Sequence, residues 1–242
     1  MRLDKFISHS LNMSRSQARG VIQSGMIQVN KAPVRQIKHI VDVDCDQVYY
    51  QNNVIEYQEF WYFMLHKPKD VLSATKDASQ TTVIDILKEE DKKKSLSIIG
   101  RLDKDTEGLI SLTSNKSMVH LLTSPKKEVV KEYYCEVQGV LTKEDQLRFS
   151  KGVEIILSKE ETYITKPAKL DIIESGAVSK ANVYITEGKF HQVKKMFLSC
   201  GKEVTYLKRI AIGNIRLDES LKLGEYRQLS KEEIQDLKKH TV

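Results

Sequence analysis

The stretch GRLDKDTEGL, residues 100–109, places two aspartates, a glutamate, an arginine and a lysine between two glycines. Charge at this density is unusual for a protein core, so the segment is a candidate reactive site. Three kinds of chemistry fit its carboxylates. They are a calcium loop, the acid and nucleophile pair of a sugar hydrolase, and a single reactive aspartate presented on a turn.

The calcium and sugar-hydrolase interpretations lack residues that each chemistry needs. An EF-hand loop starting at Asp103 requires a bidentate acid at its twelfth position, where this chain has Ser114. It also requires flanking helices, whereas LISLT, residues 109–113, has the composition of a strand. A turn could separate Asp103 from Asp105 as a glycosidase pair, but no sugar-binding aromatic cluster lies nearby, and the one tryptophan is Trp61. A sugar hydrolase, which would release a free base or sugar, stays an open alternative.

A single reactive aspartate requires a turn that presents it. SIIGRLDKDTEGLISLT, residues 97–113, predicts a strand, a charged turn and a second strand. Gly100 and Gly108 allow sharp changes of backbone direction at both ends of the turn. The neighbouring Arg101 would keep the Asp103 carboxylate ionised and therefore nucleophilic. An arginine–aspartate turn that only solvates a hairpin would have the same local pattern.

The whole chain limits the class of protein that carries this turn. Its 242 residues are 40% hydrophobic and 30% charged, which is typical of a soluble globular protein of one or two domains. No apolar run of about 18 residues predicts a membrane span, and the start lacks the apolar block of a secretory signal. Cys45, Cys135 and Cys200 lie far apart without C-x-x-C spacing, so neither a disulfide framework nor a zinc site is expected. We therefore expect a cytoplasmic protein.

The net charge of +6 is concentrated at the front of the chain. Residues 1–40 contain seven Lys and Arg residues and one acid, Asp4, so the remainder of the chain is neutral overall. A basic lobe on a neutral body indicates a polyanionic partner, nucleic acid before membrane. A solvated basic face without a partner would have the same composition.

The basic front segment has the pattern of two helices followed by a short hairpin. Residues 3–11 carry an apolar stripe at helical spacing. Ser14 and Gln17 form the signature of a capping box that begins the second helix, and Gly25 suits the position after its end. MIQVN, a turn and APVR complete the order helix, helix, strand, turn, strand.

This segment resembles the RNA-binding domain typified by ribosomal protein S-four. RLDKFI and MSRSQARGVIQSGMIQVN carry the match to a family pattern of RLD-x-x-L, SR-x-x-A and I-x-x-G-x-V-x-VNG. Lys31 stands where the family has glycine, which predicts a tighter or shifted turn after Asn30. The resemblance covers about residues 1–50 and implies RNA contact through basic side chains, which bind phosphates before they read sequence. The residues expected to bind RNA in this segment are Arg2, Lys5, Arg15, Arg19 and Lys31.

Four further motifs resemble, in the same order, those of the pseudouridine synthases that modify ribosomal RNA and begin with this small domain. LHKPKDVLSAT resembles their K-P-x-G-x-x-S segment, with Asp70 in place of glycine, and GRLDKDTEGLI resembles their signature. KEYYCEV resembles K-x-Y-x-V, with Cys135 in place of valine, and TEGKFHQVKKMF resembles EG-[RK]-x-HQVKRM. Because WYFMLHKP predicts a buried strand, we place an RNA-binding domain at 1–58 and a catalytic domain at 61–242.

The resemblance implies an enzyme that isomerises uridine in RNA. Asp103 would be the catalytic residue, which attacks the ribose, adds to the uracil ring or abstracts a sugar proton. Lys194 would hold the Asp103 carboxylate, and Tyr133 would stack on the flipped uracil and reach a moving proton. Arg101 would enter the gap left by the extruded base. The RNA-binding residues expected near this site are Lys189 and Lys195.

No cofactor is expected, because the sequence contains no dinucleotide fingerprint, P-loop or cluster of metal ligands. His191 has no partner histidine or cysteine at ligand spacing, so we expect it to be structural or to face RNA. The expected fold is α+β. It consists of a small helical-hairpin and strand domain followed by a mixed, largely antiparallel sheet with packed helices. The tail SKEEIQDLKKH, residues 230–240, predicts a surface helix capped by Ser230.

KFHQVKKMF and the ending GEYRQLSKEEI resemble the synthases that act on the small ribosomal subunit. Members that act on the large subunit read N-R-[EQ]-V-R-R instead. The resemblance therefore implies one target in the 5′ domain of 16S rRNA, uridine 516, either in free RNA or in an assembling small subunit. The alternatives are a synthase acting on 23S rRNA and a non-catalytic rRNA-binding or ribosome-assembly factor. We expect a monomer that does not bind membranes.

Overall fold

The computed structural model divides the chain into two compact units, Met1–Phe60 and Trp61–Val242. It describes residues 1–43, 45–92, 94–158 and 161–239. Each unit has a hydrophobic core of its own. Within the described residues, no helix combines the length and the apolar character that a membrane span needs.

The first unit is built from two helices and a four-stranded antiparallel sheet. Its elements are α1 (Leu3–Ser10), α2 (Arg15–Gln23), β1 (Ile27–Val29), β2 (Ala32–Pro33), β3 (Val48–Tyr50) and β4 (Asn53–Ile55). The strand order is β2-β1-β3-β4. The apolar stripes of both helices pack with β1 and β3 in one core, which includes Leu3, Phe6, Ile7, Ala18, Ile22, Ile27 and Val48.

The predicted ends of α2 and the predicted hairpin turn are confirmed. The Ser14 hydroxyl accepts a hydrogen bond from the Gln17 N–H at 3.2 Å, and the Ser14 N–H donates to Gln17 Oε1 at 2.8 Å. Gly25 follows the helix with φ of +80°. Asn30 and Lys31 connect β1 to β2 as a two-residue turn, and both have φ above +50°, as a type I′ turn requires. Lys31 thus adopts the left-handed conformation that favours glycine.

The second unit is built on a nine-stranded sheet. Its elements are β5 (Tyr62–Lys67), α3 (Glu89–Lys92), β6 (Ser97–Ile99), β7 (Glu107–Thr113), α4 (Lys116–Thr123), a 3-10 turn (Pro125–Lys127), β8 (Lys131–Gln138), α5 (Lys143–Lys151), β9 (Glu154–Ser158), β10 (Glu161–Ile164), β11 (Lys169–Glu174), β12 (Val178–Ile185), α6 (Gln192–Ser199), β13 (Glu203–Ile212), β14 (Ile215–Arg216), β15 (Tyr226–Gln228) and α7 (Lys231–Lys239). Nine of these strands form the sheet, whose main path is β11-β12-β8-β13-β7-β5-β15, with β6 on β7 and β14 on β13. Strands β9 and β10 pair with each other in a separate two-stranded sheet.

The sheet is mixed and largely antiparallel, which confirms the predicted α+β class. The pair β7 and β13 is parallel, with Gly108 opposite Arg209. Alternate residues of β8 and β12 point into the core, where Tyr133 lies opposite Val183. Helices α5 and α6 contribute to the same core, since the rings of Phe149 and Phe197 lie 4.9 Å apart. The central strands therefore fix the positions of the loops at their ends.

Two further predictions are confirmed at the level of single elements. Strands β6 and β7 pair antiparallel, with Ser97 opposite Thr113, so the charged segment is the connection between them. Helix α7 begins after Ser230, whose hydroxyl accepts a hydrogen bond from the Glu233 N–H at 3.2 Å. Residue 240, which the predicted helix included, lies outside the described residues.

Candidate active site

The charged turn between β6 and β7 lies against strand β13, and a glycine permits the contact. Gly108 has φ of +109°, and a Cβ at this position would lie 2.3 Å from the carbonyl oxygen of Arg209. Such a distance is far inside van der Waals contact, so only glycine allows the backbones of β7 and β13 to approach this closely. The approach places the guanidinium of Arg209 beside the turn.

Arg209 holds the two ends of the turn. Its side chain is 1% exposed. Nη2 donates to the Gly100 carbonyl at 2.6 Å, Nη1 to the Arg101 carbonyl at 3.3 Å, and Nε to the Leu109 carbonyl at 2.9 Å. Nη1 also lies 3.5 Å from the hydroxyl of Tyr133. The sequence did not indicate that Arg209 holds the turn, although a charged residue at an inward position of an apolar strand is a recognisable signal.

Lys67, at the end of β5, holds the middle of the turn from the other side. It is fully buried, and its Nζ donates to the carbonyls of Pro68, Lys104 and Thr106 at 2.9, 3.0 and 2.9 Å. Burial disfavours the ammonium form more than the nearby carboxylates favour it, which lowers the pKa of Lys67 to about 8. Two buried cations on different strands therefore fix the conformation of one short segment.

Asp103 faces the start of α6. Its side chain is 26% exposed, with Oδ2 3.7 Å from Lys194 Nζ and Oδ1 3.7 Å from His191 Nε2. Lys194 is closer to Asp105, because Nζ donates to Asp105 Oδ1 at 2.5 Å. Lys194 thus bridges both aspartates, whereas the sequence had suggested a partner for Asp103 alone. Partial burial acts to raise the pKa of Asp105, but the hydrogen bond and charge of Lys194 outweigh it and lower that pKa.

His191, which the sequence indicated to be structural or to face RNA, lies beside Asp103 in this site. It occupies the position before α6 with φ of +55°, a left-handed conformation that turns the chain into the helix. The imidazole stacks on the ring of Phe190, with centroids 3.8 Å apart and an interplanar angle of 21°. Its distance from Asp103 follows from the packing of α6 against the turn, and this packing is not a property of the local sequence.

The loop before α6 is held by buried polar groups. Gln192 Nε2 donates to Glu187 Oε1 at 2.8 Å, and the Lys189 N–H donates to Gln192 Oε1 at 2.8 Å. Glu187 also accepts hydrogen bonds from the Lys166 N–H at 2.9 Å and the Tyr163 hydroxyl at 2.8 Å. Because every one of these groups is paired, the loop presents the first turn of α6 in one conformation.

Two connected clefts meet at Asp103. The inner cleft has a volume of about 420 Å³, and Tyr133, Ile185, Val193 and Leu207 are among its walls. The outer cleft, of about 1220 Å³, has Leu72, Ser73, Ala74, Lys104 and Phe190 among its walls. Arg101, Asp103 and His191 line both. Arg101 is exposed and Tyr133 is buried, so the inner cleft runs from a solvent-exposed cation past the Asp103 carboxylate to an aromatic wall.

The basic residues expected to bind RNA lie on the surface in two places. In the first unit, Arg2, Lys5, Arg15, Arg19 and Lys31 are all exposed. Buried Asp4 accepts two hydrogen bonds from Arg2, at 3.0 and 2.9 Å, and lies 3.6 Å from Arg19. Burial raises the pKa of Asp4, but these cations outweigh it and lower the pKa. In the second unit, the Nζ atoms of Lys189 and Lys195 lie over the rings of Tyr163 and Phe190, respectively, at 4.3 and 5.1 Å.

Known proteins match both units. A family model described as RNA pseudouridylate synthase matches residues 61–199, and one described as S4 domain matches residues 1–48. The chain is 41% identical over 236 residues to YtzG, an uncharacterized RNA pseudouridine synthase of Bacillus subtilis, and the match covers 97% of each chain. It is 36% identical to ribosomal small subunit pseudouridine synthase A of Haemophilus influenzae, covering 99% of this chain and 100% of that one.

A solved structure has the same architecture over nearly the whole length. It is a crystal structure of a pseudouridylate synthase, with 34% sequence identity, a TM-score of 0.67, and coverage of 98% of this chain and 99% of that chain. The family model alone matches more than half of the residues, and it includes the turn, Tyr133 and the first turn of α6. The chain therefore belongs to the RNA pseudouridine synthase family, with an S4 domain in front of the synthase unit.

Proposed function

We propose that this protein converts one uridine of 16S rRNA, uridine 516, to pseudouridine, with Asp103 as the catalytic carboxylate. In this reaction the bond between uracil N1 and the ribose breaks, the base turns, and a carbon–carbon bond forms at C5. The relatives named for the small ribosomal subunit support the substrate, since they align over nearly the full length of the chain. The S4 domain supports an RNA partner for the first unit.

The observation that carries the proposal is the setting of Asp103. Its carboxylate lies where the two clefts meet, with the cation of Lys194 3.7 Å away. Attack on the ribose, addition to the ring and proton abstraction all require an ionised carboxylate next to the nucleoside. Tyr133 lines the same inner cleft, so an aromatic ring and the carboxylate face one space.

A uridine in folded RNA must leave its stack before it can enter the inner cleft, at a cost of a few kcal/mol. Arg101 is exposed and lines both clefts. The hydrogen bond from Arg209 holds its backbone carbonyl and leaves its side chain unconstrained. Its planar guanidinium can stack in the gap left by the base or bind a phosphate. We assign it the role of stabilising the extruded state.

In this proposal the two units have different roles. Residues 1–58 bind RNA through the exposed basic side chains of α1, α2 and the Lys31 turn. Residues 61–242 carry the reaction, with Lys189 and Lys195 binding phosphates beside the cleft. We propose that the protein acts as a monomer and without a cofactor.

The test compares Asp103→Asn with Asp105→Asn. Both changes remove one carboxylate from the same turn, but only Asp103 faces the inner cleft. Cells lacking the protein are complemented with each variant, and pseudouridines are mapped in 16S and 23S rRNA. The wild type and Asp105→Asn should restore one pseudouridine, at position 516 of 16S rRNA, and Asp103→Asn should restore none.

Each other outcome selects a different function. If Asp103→Asn restored the missing pseudouridine, the Asp103 carboxylate would not be required for the reaction. A site restored in 23S rRNA would keep the chemistry and overturn the substrate. No missing pseudouridine in either rRNA would favour a non-catalytic rRNA-binding or assembly factor.

A further inference from the structure

Phe190 is an exposed aromatic side chain beside the reactive carboxylate. It is 68% exposed, among the highest values for large apolar side chains in the described residues. It precedes His191 in the loop that leads into α6, and that loop is held by the paired groups of Glu187 and Gln192. The ring is therefore exposed to solvent on a loop that hydrogen bonds hold in place, although burial of such a ring would be favourable.

The ring lies outside the inner cleft and on the wall of the outer one. Tyr133 lines only the inner cleft, Phe190 only the outer cleft, and Asp103 both. Phe190 is linked to the reactive carboxylate through His191, which stacks on it at 3.8 Å and lies 3.7 Å from Asp103. A uracil in the inner cleft would therefore have its neighbouring nucleotide near Phe190.

The charges around the ring suit a nucleic acid. Lys195 Nζ lies 5.1 Å from the ring centroid, and Lys189 precedes Phe190 in the chain. Lys104 lies on the same outer cleft. An exposed aromatic ring with flanking lysines is the arrangement with which proteins bind single-stranded nucleic acid, since the ring stacks on a base and the cations bind phosphates.

We propose that Phe190 is a stacking platform for the base of the nucleotide next to the target uridine. This inference rests on the proposed function for the identity of the RNA, but the contact itself does not depend on which rRNA is modified. Stacking on one aromatic face accepts every base, so Phe190 adds affinity for an unpaired neighbour without choosing its sequence. The platform thus favours targets whose flanking nucleotide is already unstacked.

The test uses pseudouridine formation on 16S and 23S rRNA transcripts labelled with tritium at uracil C5. The new carbon–carbon bond at C5 displaces the C5 hydrogen as a proton, and N1 takes a proton from water, so tritium release reports turnover. Phe190→Ala should raise KM about 5- to 150-fold, the equivalent of about 1–3 kcal/mol of stacking, with kcat unchanged. Phe190→Leu should behave like Phe190→Ala, whereas Phe190→Tyr should stay close to the wild type.

Leu198 offers a matched control. It is 67% exposed and lies on α6, but it does not line either cleft. Leu198→Ala removes a comparable exposed apolar side chain and should leave KM unchanged. Phe190→Trp adds a direct signal, because the only other tryptophan is Trp61. RNA should quench the emission of this variant more than that of the wild type.

A separate affinity measurement distinguishes failure of the platform from failure of the proposed function. The dissociation constants of both transcripts are compared for Asp103→Asn with and without Phe190→Ala. A wild type that releases no tritium from either transcript or from partly assembled small subunits made with the labelled 16S rRNA would overturn the proposed reaction. The ratio of the two dissociation constants would still measure the contribution of Phe190. Equal affinities and equal KM values would overturn the platform. A loss confined to kcat would also overturn it, since that result would assign Phe190 to the positioning of His191.

Discussion

Replacing Arg209 with methionine tests whether a buried cation holds the turn that carries Asp103. Methionine has a similar length but no donor, so the carbonyls of Gly100, Arg101 and Leu109 each lose a hydrogen bond. A buried carbonyl without a partner costs about 1–3 kcal/mol. Arg101 is exposed, and water can replace the missing donor there. The other two carbonyls together would lower the free energy of unfolding by about 2–6 kcal/mol. This loss is reduced because methionine, unlike the buried arginine, carries no charge that must be desolvated on folding.

We therefore expect Arg209→Met to lower the free energy of unfolding by about 3 kcal/mol, which most domains of this size survive. The turn would also lose its position, and a displacement of about 1 Å costs about a hundredfold in rate. Urea unfolding measures the first effect, and the single-turnover rate of pseudouridine formation measures the second. RNA affinity should fall much less than the rate, because Arg209 is 1% exposed and does not itself contact RNA.

Two variants control this experiment. Arg148 is exposed and donates to the carbonyl of Ser199 at 2.9 Å, so Arg148→Met should cost less than about 1 kcal/mol and leave the rate intact. Arg209→Lys keeps the charge but replaces a planar fork with a point donor, so it should recover only part of the stability and rate. The reasoning is refuted if Arg209→Met is destabilised no more than Arg148→Met and turns over at the wild-type rate.

Three further predictions concern other groups. Lys194→Met should reduce kcat with little change in RNA affinity, because Lys194 contacts the carboxylates of the turn; a loss confined to affinity would reassign it to phosphate. Burial lowers the pKa of Lys67 to about 8, so between pH 8 and 10.5 the unfolded chain binds more protons at this group. The free energy of unfolding of the wild type should then rise with pH relative to Lys67→Met, and a difference independent of pH would contradict this. Changing Arg15 and Arg19 to glutamine should make the slope of log affinity for RNA against log salt concentration shallower by about 0.7–0.9 for each phosphate that α2 no longer neutralises. An unchanged slope would show that α2 does not bind RNA phosphates.

The elements that the sequence predicted depend on neighbouring residues. The capping boxes at Ser14 and Ser230 and the strands on either side of the charged turn are each encoded within a few positions, and the structure confirms them. Gly100 and Gly108 were expected to allow sharp changes of direction at the ends of the turn, and in the structure they take φ values of +69° and +109°.

The contacts that the sequence did not predict join residues far apart in the chain. Arg209 reaches Gly100 only because β13 pairs with β7 in one parallel register, and that register is a property of the whole sheet. Lys194 bridges two aspartates, and His191 approaches Asp103, because of how α6 packs against the turn. The motif that contains His191 and Lys194 placed both near the site but could not specify which atoms meet, and no motif included Arg209.

The two cations that hold the turn also set the order in which activity arises during synthesis. Lys67 leaves the ribosome before Asp103, but Arg209 follows Asp103 by more than a hundred residues. At elongation rates of about 5–20 residues per second, Arg209 is synthesised about 5–20 s after Asp103. A nascent chain that has already exposed its S4 domain therefore lacks the second cation that holds the turn around Asp103. It becomes competent to modify RNA only when β13 joins the sheet near the end of translation.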